Sequence, residues 1–417
     1  MTKKQILRCI AFIVVVFMTI VLMCDLFEYE NNKNFDKNAN TYRNLPENIL
    51  DGVYIGTSGA DRYWIAPKAY EEYGMSIHAL SFDALPSWLY TDIIDTALKN
   101  QTPKLVLLDA RVFYQDNTAD LMDVRARRAI DAQPFFSPTR WKMARKTVKY
   151  IHEQSLRDIE KAKLKAEAQT DPTLPAVEIP EERSKYDFSF AFPFIKFHSK
   201  WSDNYSVYNN LGSKNQMYGG FYMSPDRTIR KTPHARVVYD PNVYADLDPL
   251  AEESLYEVID YIKEKNLNVL FVDTPQFLEG SELGRANTTY KILKENGLDY
   301  IHFYKDYSGD FTIDLDNTTE FYDESHVNYY GAVKFTDVLA KYIDENYDLP
   351  DRRKDEAAAS YWDGKYQSVV DGIARYEQEK AAKEQAKLLA AQQKAQEEAA
   401  EQAAIQQIID AEKKGGQ

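Results

Sequence analysis

The chain has 417 residues, of which 44% are hydrophobic and 13% aromatic, enough to form one large domain or two smaller ones. Its formal net charge of −14 argues against nucleic acid as a partner, because phosphate binding needs clustered Lys and Arg. The 30 tyrosines suit a surface that faces carbohydrate, although core and interface packing is the commoner use of tyrosine.

The first segment predicts a membrane anchor over residues 1–28. The run from Cys9 to Cys24 is uncharged and almost wholly apolar, and with its flanks it approaches the ~20 residues that cross a bilayer. Basic side chains precede this run and acidic ones follow it, so the positive-inside rule places the N-terminus in the cytoplasm and the rest outside. A cleaved signal peptide and a lipoprotein modified at Cys24 are the alternatives, and either would still export the rest of the chain.

Both cysteines lie in this segment. The region beyond it therefore has no disulfide and no cysteine-based metal site or nucleophile. Residues 29–50, which are rich in Asn, Asp and Lys, predict a linker next to the membrane.

From residue 51 onward, apolar strands alternate with helical segments. Strands are predicted at residues 53–55, 76–80, 104–109, 268–273 and 300–303, and helices at residues 60–73, 88–98, 249–265, 288–296 and 329–347. Continuous apolar runs are typical of strands that are covered on both faces. The alternation predicts an α/β domain over residues 51–350, with a three-layer α/β/α arrangement and a mostly parallel, flavodoxin-like sheet.

The alternation lapses between about residues 112 and 245, which predicts a long insertion that folds in part over the sheet as a cap. From about residue 355 the composition shifts to Ala, Glu, Gln and Lys, so residues 355–417 are predicted to be a helical or disordered tail. The apolar positions of the tail are mostly alanine, too thin for a stable coiled coil. A spacer and a weak self-association helix are the alternatives.

Two polar motifs bracket the α/β region, near the carboxyl ends of strands, where ligands gather in an open parallel sheet. Ser58 follows the first strand, at a turn where the start of the next helix offers N–H groups to an oxyanion. Asp323 and His326 lie before the last helix, where a carboxylate can orient the imidazole that takes a proton from a serine. Each motif alone is also explained as a helix cap, so their joint occurrence carries the prediction.

The order G-T-S near the start and D-x-x-H-x-N-x-x-G-A near the end resembles the SGNH/GDSL hydrolase superfamily. The resemblance implies that Ser58 is the nucleophile, His326 the general base and Asp323 its orienting acid. Residues 56–109 look like the membrane-anchored branch of that superfamily, which includes the D-alanyl transfer protein of teichoic acids and the alginate acetylation proteins. The resemblance lies in two blocks that together cover about half of the chain.

The glycine and asparagine that usually complete the family's oxyanion hole have no counterpart here. The second block reads S-F-D-A at residues 81–84, and the third ends in L-D-A-R at residues 108–111. Loss of one such donor costs roughly 3–4 kcal/mol of transition-state stabilisation. Either the backbone N–H groups of Ser58 and Gly59 or the side chain of Arg111 would stand in, or the site is slow or inert.

Two further residues are candidates for substrate binding. Asn328 belongs to the second motif, and His198 lies in an aromatic stretch that would line a sugar site, although packing is the commoner role of such a histidine. No metal-ligand spacing, Walker loop or dinucleotide fingerprint is present in the sequence, so neither a metal nor a cofactor is predicted.

The resemblance implies a serine esterase or O-acyltransferase that acts on acyl esters of an extracellular cell-wall polymer, either a glycan or a teichoic acid. A membrane acyl-donor protein would then be a partner. The alternative is a non-catalytic SGNH-like protein that binds polymer or scaffolds a surface assembly. Geometry separates the two hypotheses, because catalysis needs Ser58 within hydrogen-bonding reach of His326.

Overall fold

The computed structural model describes residues 2–28, 33–115, 118–171, 173–201, 217–223, 240–276, 278, 280–303, 313–316, 318–323 and 325–415. The chain divides into two compact units, Met1–Lys365 and Tyr366–Gln417. The first unit contains the sheet and the helices packed on it, and the second contains most of the C-terminal helix.

The described residues form strands and helices that alternate over much of the first unit. The strands are β1 (Gly52–Gly56), β2 (Ile77–Ser81), β3 (Leu105–Asp109), β4 (Met217–Tyr218), β5 (Phe221–Tyr222), β6 (Val269–Asp273) and β7 (Asp299–His302). The helices are α1 (Lys3–Leu26), α2 (Lys33–Arg43), α3 (Ser58–Tyr63), α4 (Ala66–Tyr73), α5 (Tyr90–Ala97), α6 (Ala119–Asp131), α7 (Pro138–Ala168), α8 (Phe194–Phe197), α9 (Pro249–Lys265), α10 (Gly280–Glu295), α11 (Tyr329–Asn346), α12 (Glu356–Trp362) and α13 (Lys365–Gly415). Short 3₁₀ helices cover Ser87–Leu89, Ala110–Phe113, Phe188–Phe190, His198–Trp201 and Arg352–Lys354.

Five of the strands form one parallel sheet in the order β2-β1-β3-β6-β7. Every residue of β1, β2, β3 and β6 is buried, as expected when helices cover both faces of a parallel sheet. The predicted α/β class is confirmed, and the arrangement agrees with a three-layer α/β/α fold. Each of the five predicted strands matches an observed one to within one residue at either end.

Strand β1 lies between β2 and β3, and this position determines where a ligand can bind. The chain passes from β1 to β2 on one side of the sheet and from β3 to β6 on the other side. The carboxyl ends of these two strands therefore face a crevice at the topological switch point. Ser58 follows β1 and Arg111 follows β3, so both lie at this crevice.

Helix α1 is an apolar N-terminal helix of 24 residues. Its length and composition suffice either to cross a membrane or to act as a signal sequence. Its first turn is closed by a capping box between Thr2 and Gln5.

The segment predicted as a linker, residues 29–50, contains helix α2. Phe35, Ala39 and Tyr42 repeat at helical spacing, and all three are buried. The hydroxyl group of Tyr42 also donates a 2.9 Å hydrogen bond to the carbonyl oxygen of Ala97. Helix α2 is therefore part of the folded domain rather than a tether.

The predicted insertion begins with two helices, α6 and α7, that pack against each other and on the core. The ring of Trp88 stacks on Tyr150 of α7 with centroids 5.1 Å apart. Lys146 Nζ lies 2.8 Å from Glu257 Oε2 in α9. Much of the rest of this segment, residues 202–216 and 224–239, lies outside the described residues, and so does much of any cap that it forms.

The region predicted as a tail starts with residues that belong to the core. Trp362, at the end of α12, is 1% exposed, and its ring stacks on Tyr70 with centroids 5.7 Å apart. Its Nε1 donates a 2.7 Å hydrogen bond to Ser76 Oγ. The long helix predicted at the C-terminus is present and begins at Lys365.

Replacing Trp362 by alanine is expected to lower the free energy of unfolding by about 3–5 kcal/mol, because it leaves a cavity beside Tyr70. Trp362→Phe is the control: it keeps an aromatic ring and loses the hydrogen bond to Ser76, which costs about 1 kcal/mol. Chemical denaturation of both variants measures the difference. An unchanged free energy of unfolding in Trp362→Ala would show that the packing of α12 does not stabilise the domain.

Candidate active site

Ser58, His326 and Asp323 lie in hydrogen-bonding contact. Ser58 Oγ is 2.7 Å from His326 Nε2, and His326 Nδ1 is 2.8 Å and 2.9 Å from the two carboxylate oxygens of Asp323. An ionised carboxylate only accepts hydrogen bonds, so Nδ1 carries the ring proton and Nε2 accepts from the serine hydroxyl. The structure thus brings together the three residues that the sequence predicts as a triad.

Asp323 is held in its charged form. Burial alone raises the pKa of this carboxyl, but the hydrogen bonds from His326 and from the backbone N–H of Ser325 outweigh burial and leave the pKa below its ordinary value. The side chains of His326 and Asp323 are 23% and 43% exposed, so the site is open to solvent. A charged Asp323 is what the relay needs, since it fixes the orientation of the imidazole.

Main-chain hydrogen bonds hold the loop that carries Asp323 and His326. Phe321 and Val327 form an antiparallel bridge across the loop. The backbone N–H of Tyr322 donates a 2.8 Å hydrogen bond to the carbonyl oxygen of His326. This closed turn fixes the spacing between the acid and the base.

Asn328, predicted as a substrate-binding candidate, caps helix α11 instead. Its Oδ1 accepts from the backbone N–H groups of Tyr330 at 3.0 Å and Gly331 at 3.3 Å, and its Nδ2 donates 2.8 Å to the carbonyl oxygen of Thr319. A Cβ atom on Gly331 would lie 2.5 Å from the carbonyl oxygen of Glu320. The N-x-x-G part of the motif is therefore explained by the close packing of α11 against the loop.

Arg111 is fully buried and connects the two halves of the triad. Its Nη2 lies 3.3 Å from Ser58 Oγ and 3.1 Å from Thr57 Oγ1. Its Nη1 donates a 3.1 Å hydrogen bond to the carbonyl oxygen of Ser325, which belongs to the loop of the base. The guanidinium of Arg111 thus contacts both the turn that carries Ser58 and the loop that carries His326.

Asp109, the last residue of β3, organises the turn that carries Ser58. Its Oδ2 accepts hydrogen bonds from the hydroxyl and, at 3.1 Å, from the backbone N–H of Thr57. Its Oδ1 accepts 3.0 Å from the backbone N–H of Arg111 and lies 3.4 Å from Arg111 Nε. Burial alone lowers the pKa of Arg111, but the negative charge of Asp109 outweighs burial and raises it, so the guanidinium stays charged.

Gly59 packs directly against this ion pair. A Cβ atom at this position would lie 2.6 Å from both Arg111 Nη2 and Asp109 Oδ2. The backbone N–H of Gly59, predicted as an oxyanion donor, lies 3.3 Å from Thr57 Oγ1, which caps helix α3. The absence of a side chain at Gly59 is therefore what leaves room for Arg111.

Ser81 is the last residue of β2, and its hydroxyl is directed at Asp61. Ser81 Oγ donates a 2.8 Å hydrogen bond to Asp61 Oδ2. Burial, aided by the negative charge of Asp83, raises the pKa of Asp61 to about 7. Asp61 lies in α3, about one helical turn after Ser58. A buried carboxyl group that can titrate near neutral pH is therefore close to Ser58.

His198 does not join the triad in the described part of the chain. Its side chain is exposed, and its Nδ1 lies 3.0 Å from the carbonyl oxygen of Ile195 in the same short segment. Among the described residues, no contact of His198 favours the role of a sugar-binding residue over that of an ordinary surface histidine.

The sequence did not identify Thr57, Asp109 and Tyr63 as residues of the site. The hydroxyl oxygen of Tyr63 lies 3.0 Å from the carbonyl oxygen of Ser325, beside the contact made by Arg111. A carboxylate that ends a buried strand at the switch point is a signal that could have indicated Asp109. Tyr63 gives no such signal, because its contact depends on a loop far away in the chain.

The arrangement can activate a serine hydroxyl, since a neutral imidazole accepts its proton and a carboxylate orients the imidazole. Arg111 adds positive charge 3.3 Å from Ser58 Oγ, close to where an oxyanion would form on an attacked carbonyl. Neither a model of a known protein family nor a curated protein matches this chain.

Asp61 is expected to make stability fall as pH rises. Its pKa of about 7 in the folded chain exceeds the unfolded value of about 3.9, so the folded state holds the proton more tightly. The thermal midpoint of the wild type should fall relative to that of Asp61→Asn between about pH 5 and about pH 7, and level off above. Asparagine can still accept from Ser81. Parallel curves for the two proteins would contradict the raised pKa.

Proposed function

We propose that this chain is a serine esterase or O-acyltransferase of the SGNH/GDSL type. The observation that carries the proposal is the relay in which Ser58 Oγ lies 2.7 Å from His326 Nε2, and Nδ1 lies 2.8 Å from the Asp323 carboxylate. The sequence resemblance assigns the same three roles to the same three residues.

The reaction would proceed through an acyl-serine. Ser58 Oγ attacks the carbonyl carbon of an ester while His326 Nε2 takes the hydroxyl proton. The bond from that carbon to the alcohol oxygen then breaks, and the imidazolium returns the proton to the departing oxygen. In the second half, water or a polymer hydroxyl gives its proton to Nε2 and attacks the acyl-serine, and Ser58 leaves with that proton. Water completes hydrolysis, and a hydroxyl group completes transfer.

Arg111 is the side chain that we assign to the developing oxyanion. A charged donor in a water-excluded position stabilises such an oxygen more than the same donor in water. Ser58 is the first residue of helix α3, and the first N–H groups of a helix have no partner within the helix. The N–H of Gly59 already donates to Thr57 Oγ1, so the guanidinium and the N–H of Ser58 together would replace the glycine and asparagine that the family usually has.

The proposed location is the outer face of a membrane, with α1 as the anchor and the N-terminus in the cytoplasm. The length and apolarity of α1, with basic residues before it and acidic residues after it, support this orientation. The substrates would be acyl esters on a cell-wall glycan or teichoic acid, as the resemblance to the membrane-anchored branch implies. A membrane acyl-donor protein would supply the acyl group for transfer.

A second candidate function is polymer binding or scaffolding without catalysis. The observation that favours it lies at the two positions where the family has oxyanion donors. Ser81 donates its hydroxyl proton to Asp61, and Asp109 presents a carboxylate, which only accepts hydrogen bonds. Neither side chain offers a proton to an oxyanion.

A fluorophosphonate probe separates the two functions, because it reacts with an activated serine whatever the natural substrate. With the full chain in detergent, we expect an adduct that mass spectrometry maps to Ser58, and none in Ser58→Ala or His326→Ala. Asp323→Asn should slow labelling by about 10⁴-fold, since the imidazole then loses its tautomer and orientation.

Ser325→Ala is the matched control for that experiment. This exposed serine lies in the same loop, and its hydrogen bonds there use main-chain atoms. Labelling should be unchanged. A wild-type chain that melts cooperatively yet takes up no probe would exclude the enzyme and support the binding protein.

Arg111→Lys is expected to lower kcat for an activated acyl ester by about 10²–10³-fold, with little change in KM. Lysine keeps the charge but cannot contact Ser58 and Ser325 together, because it lacks the fork of the guanidinium. Arg127→Lys is the matched control, since Arg127 is also a buried arginine and its Nε lies 2.8 Å from Asp123 Oδ1. Equal losses in both variants would trace the effect to destabilisation alone.

A further inference from the structure

Aromatic rings from the insertion lie against helix α1. The ring centroid of Phe17, in α1, is 6.2 Å from that of Phe135 and 5.1 Å from that of Phe136. The rings continue outward, with Trp141 5.8 Å from Phe135 and Phe192 5.5 Å from Trp141. We call Phe135, Phe136, Trp141 and Phe192 the aromatic surface.

The aromatic surface is exposed to a degree that folding alone does not explain. Phe136 is 63% exposed and Trp141 is 40% exposed, and Ile195, in the neighbouring helix α8, is 46% exposed. Contiguous apolar patches of this kind mark surfaces that contact another molecule or a membrane.

Helix α1 sets the depth at which these rings would lie. Phe17 precedes Leu26, the end of the helix, by nine residues. Nine residues of α-helix span about 14 Å, and half of a bilayer's hydrocarbon core is about 15 Å. With α1 across the membrane, a ring that contacts Phe17 therefore lies within the hydrocarbon of the outer leaflet.

Five carbonyl groups accept hydrogen bonds from nearby donors in the loop that carries Phe135 and Phe136, residues 132–137, and in the end of α6 just before it. Arg140 Nη1 donates to three carbonyl oxygens at 2.9, 3.0 and 3.1 Å. Ser137 N donates to a fourth at 2.8 Å, and Trp141 Nε1 donates to a fifth at 3.0 Å. The accepting residues are Ile130, Asp131, Gln133, Pro134 and Phe135. An exposed loop in water can leave such groups to solvent, whereas a loop in lipid cannot.

The charged side chains that pack against this loop, Arg140 and Asp131, form an ion pair with each other. Arg140 Nη2 lies 2.9 Å from Asp131 Oδ1, and both side chains are buried. The loop therefore presents aromatic side chains outward without bringing an unpaired charge toward the hydrocarbon.

Helix α7 adds cations next to the aromatic surface. Trp141, Arg145 and Lys149 repeat every four residues on one face, and all three are exposed. Arg145 and Lys149 lie about 6 Å and 12 Å along the helix from Trp141. Aromatic side chains followed by Lys and Arg suit the boundary between acyl chains and anionic headgroups.

We propose that the aromatic surface inserts into the outer leaflet beside α1, with Arg145 and Lys149 at the phosphates of anionic lipids. The domain is then held on the bilayer at two places, the span and the aromatic surface. This inference rests on the proposed membrane anchor and is independent of the proposed chemistry. The occupant is lipid, and a protein that covers the same surface is the competing outcome of the test.

Site-specific fluorescence on the full chain tests the insertion. In a Cys9→Ala, Cys24→Ala background, Phe136→Cys carries an environment-sensitive NBD label, and the chain is placed in nanodiscs of phosphatidylcholine and phosphatidylglycerol. Leu164→Cys is the matched control, because Leu164 is also an exposed apolar residue and lies in α7, about 35 Å along the helix from Trp141. We expect the label at 136 to emit at shorter wavelength, to resist quenching by iodide and to be quenched by spin-labelled lipid, and the label at 164 to show none of these effects.

Three results would overturn the inference. Equal emission and quenching at the two positions, in chains with an unchanged thermal midpoint, would remove the insertion and leave the anchor in place. A chain that does not co-purify with nanodiscs would contradict both the proposed insertion and the proposed membrane anchor. A shift at 136 that needs an added membrane protein would assign the surface to that protein. Fluorophosphonate labelling of the same sample reports on Ser58 separately, so failure of the proposed chemistry is distinguishable.

Discussion

The ion pair between Asp109 and Arg111 is the contact on which the candidate site depends. A buried ion pair is costly unless further hydrogen bonds satisfy its charged groups, and every side-chain polar atom of this pair except Arg111 Nε has such a partner. Here Thr57 donates hydrogen bonds to the carboxylate of Asp109. The guanidinium of Arg111 donates to Ser58 Oγ and to the carbonyl oxygen of Ser325. Because Arg111 and Ser325 are 214 residues apart, this one pair joins the two sequence blocks that carry the triad.

The ion pair between Asp109 and Arg111 also accounts for the glycines on either side of Ser58. A Cβ atom on Gly56 would lie 2.3 Å from the Cβ of Asp109, and one on Gly59 would meet Arg111 Nη2 at 2.6 Å. The carboxylate of Asp109 thus holds a cation beside Ser58. A charged donor such as this guanidinium hydrogen-bonds more strongly than a neutral one.

Long-range order was predictable where periodicity was strong. The buried strands stand out as apolar runs, and their topology places Ser58 and the loop of His326 at one edge of the sheet. Weak local signals were missed: α2 buries three apolar positions in an otherwise polar segment, and Trp362 follows three alanines, residues 357–359, in the region predicted as a tail. The capping role of Asn328 and the bridging role of Arg111 depend on contacts that spacing alone does not encode.

Helix α2 limits how far the site can rise above a bilayer. Asn38 Nδ2 donates 2.9 Å to the carbonyl oxygen of Ala79 in β2, so this helix moves with the sheet. Six residues separate Leu26 from Lys33, and even a fully extended chain of that length spans only about 20 Å. With α1 across a membrane, Ser58 would therefore lie within a limited distance of the lipid surface. On the proposed function, an acceptor polymer would have to meet the site close to that surface, before the polymer is built into a wall.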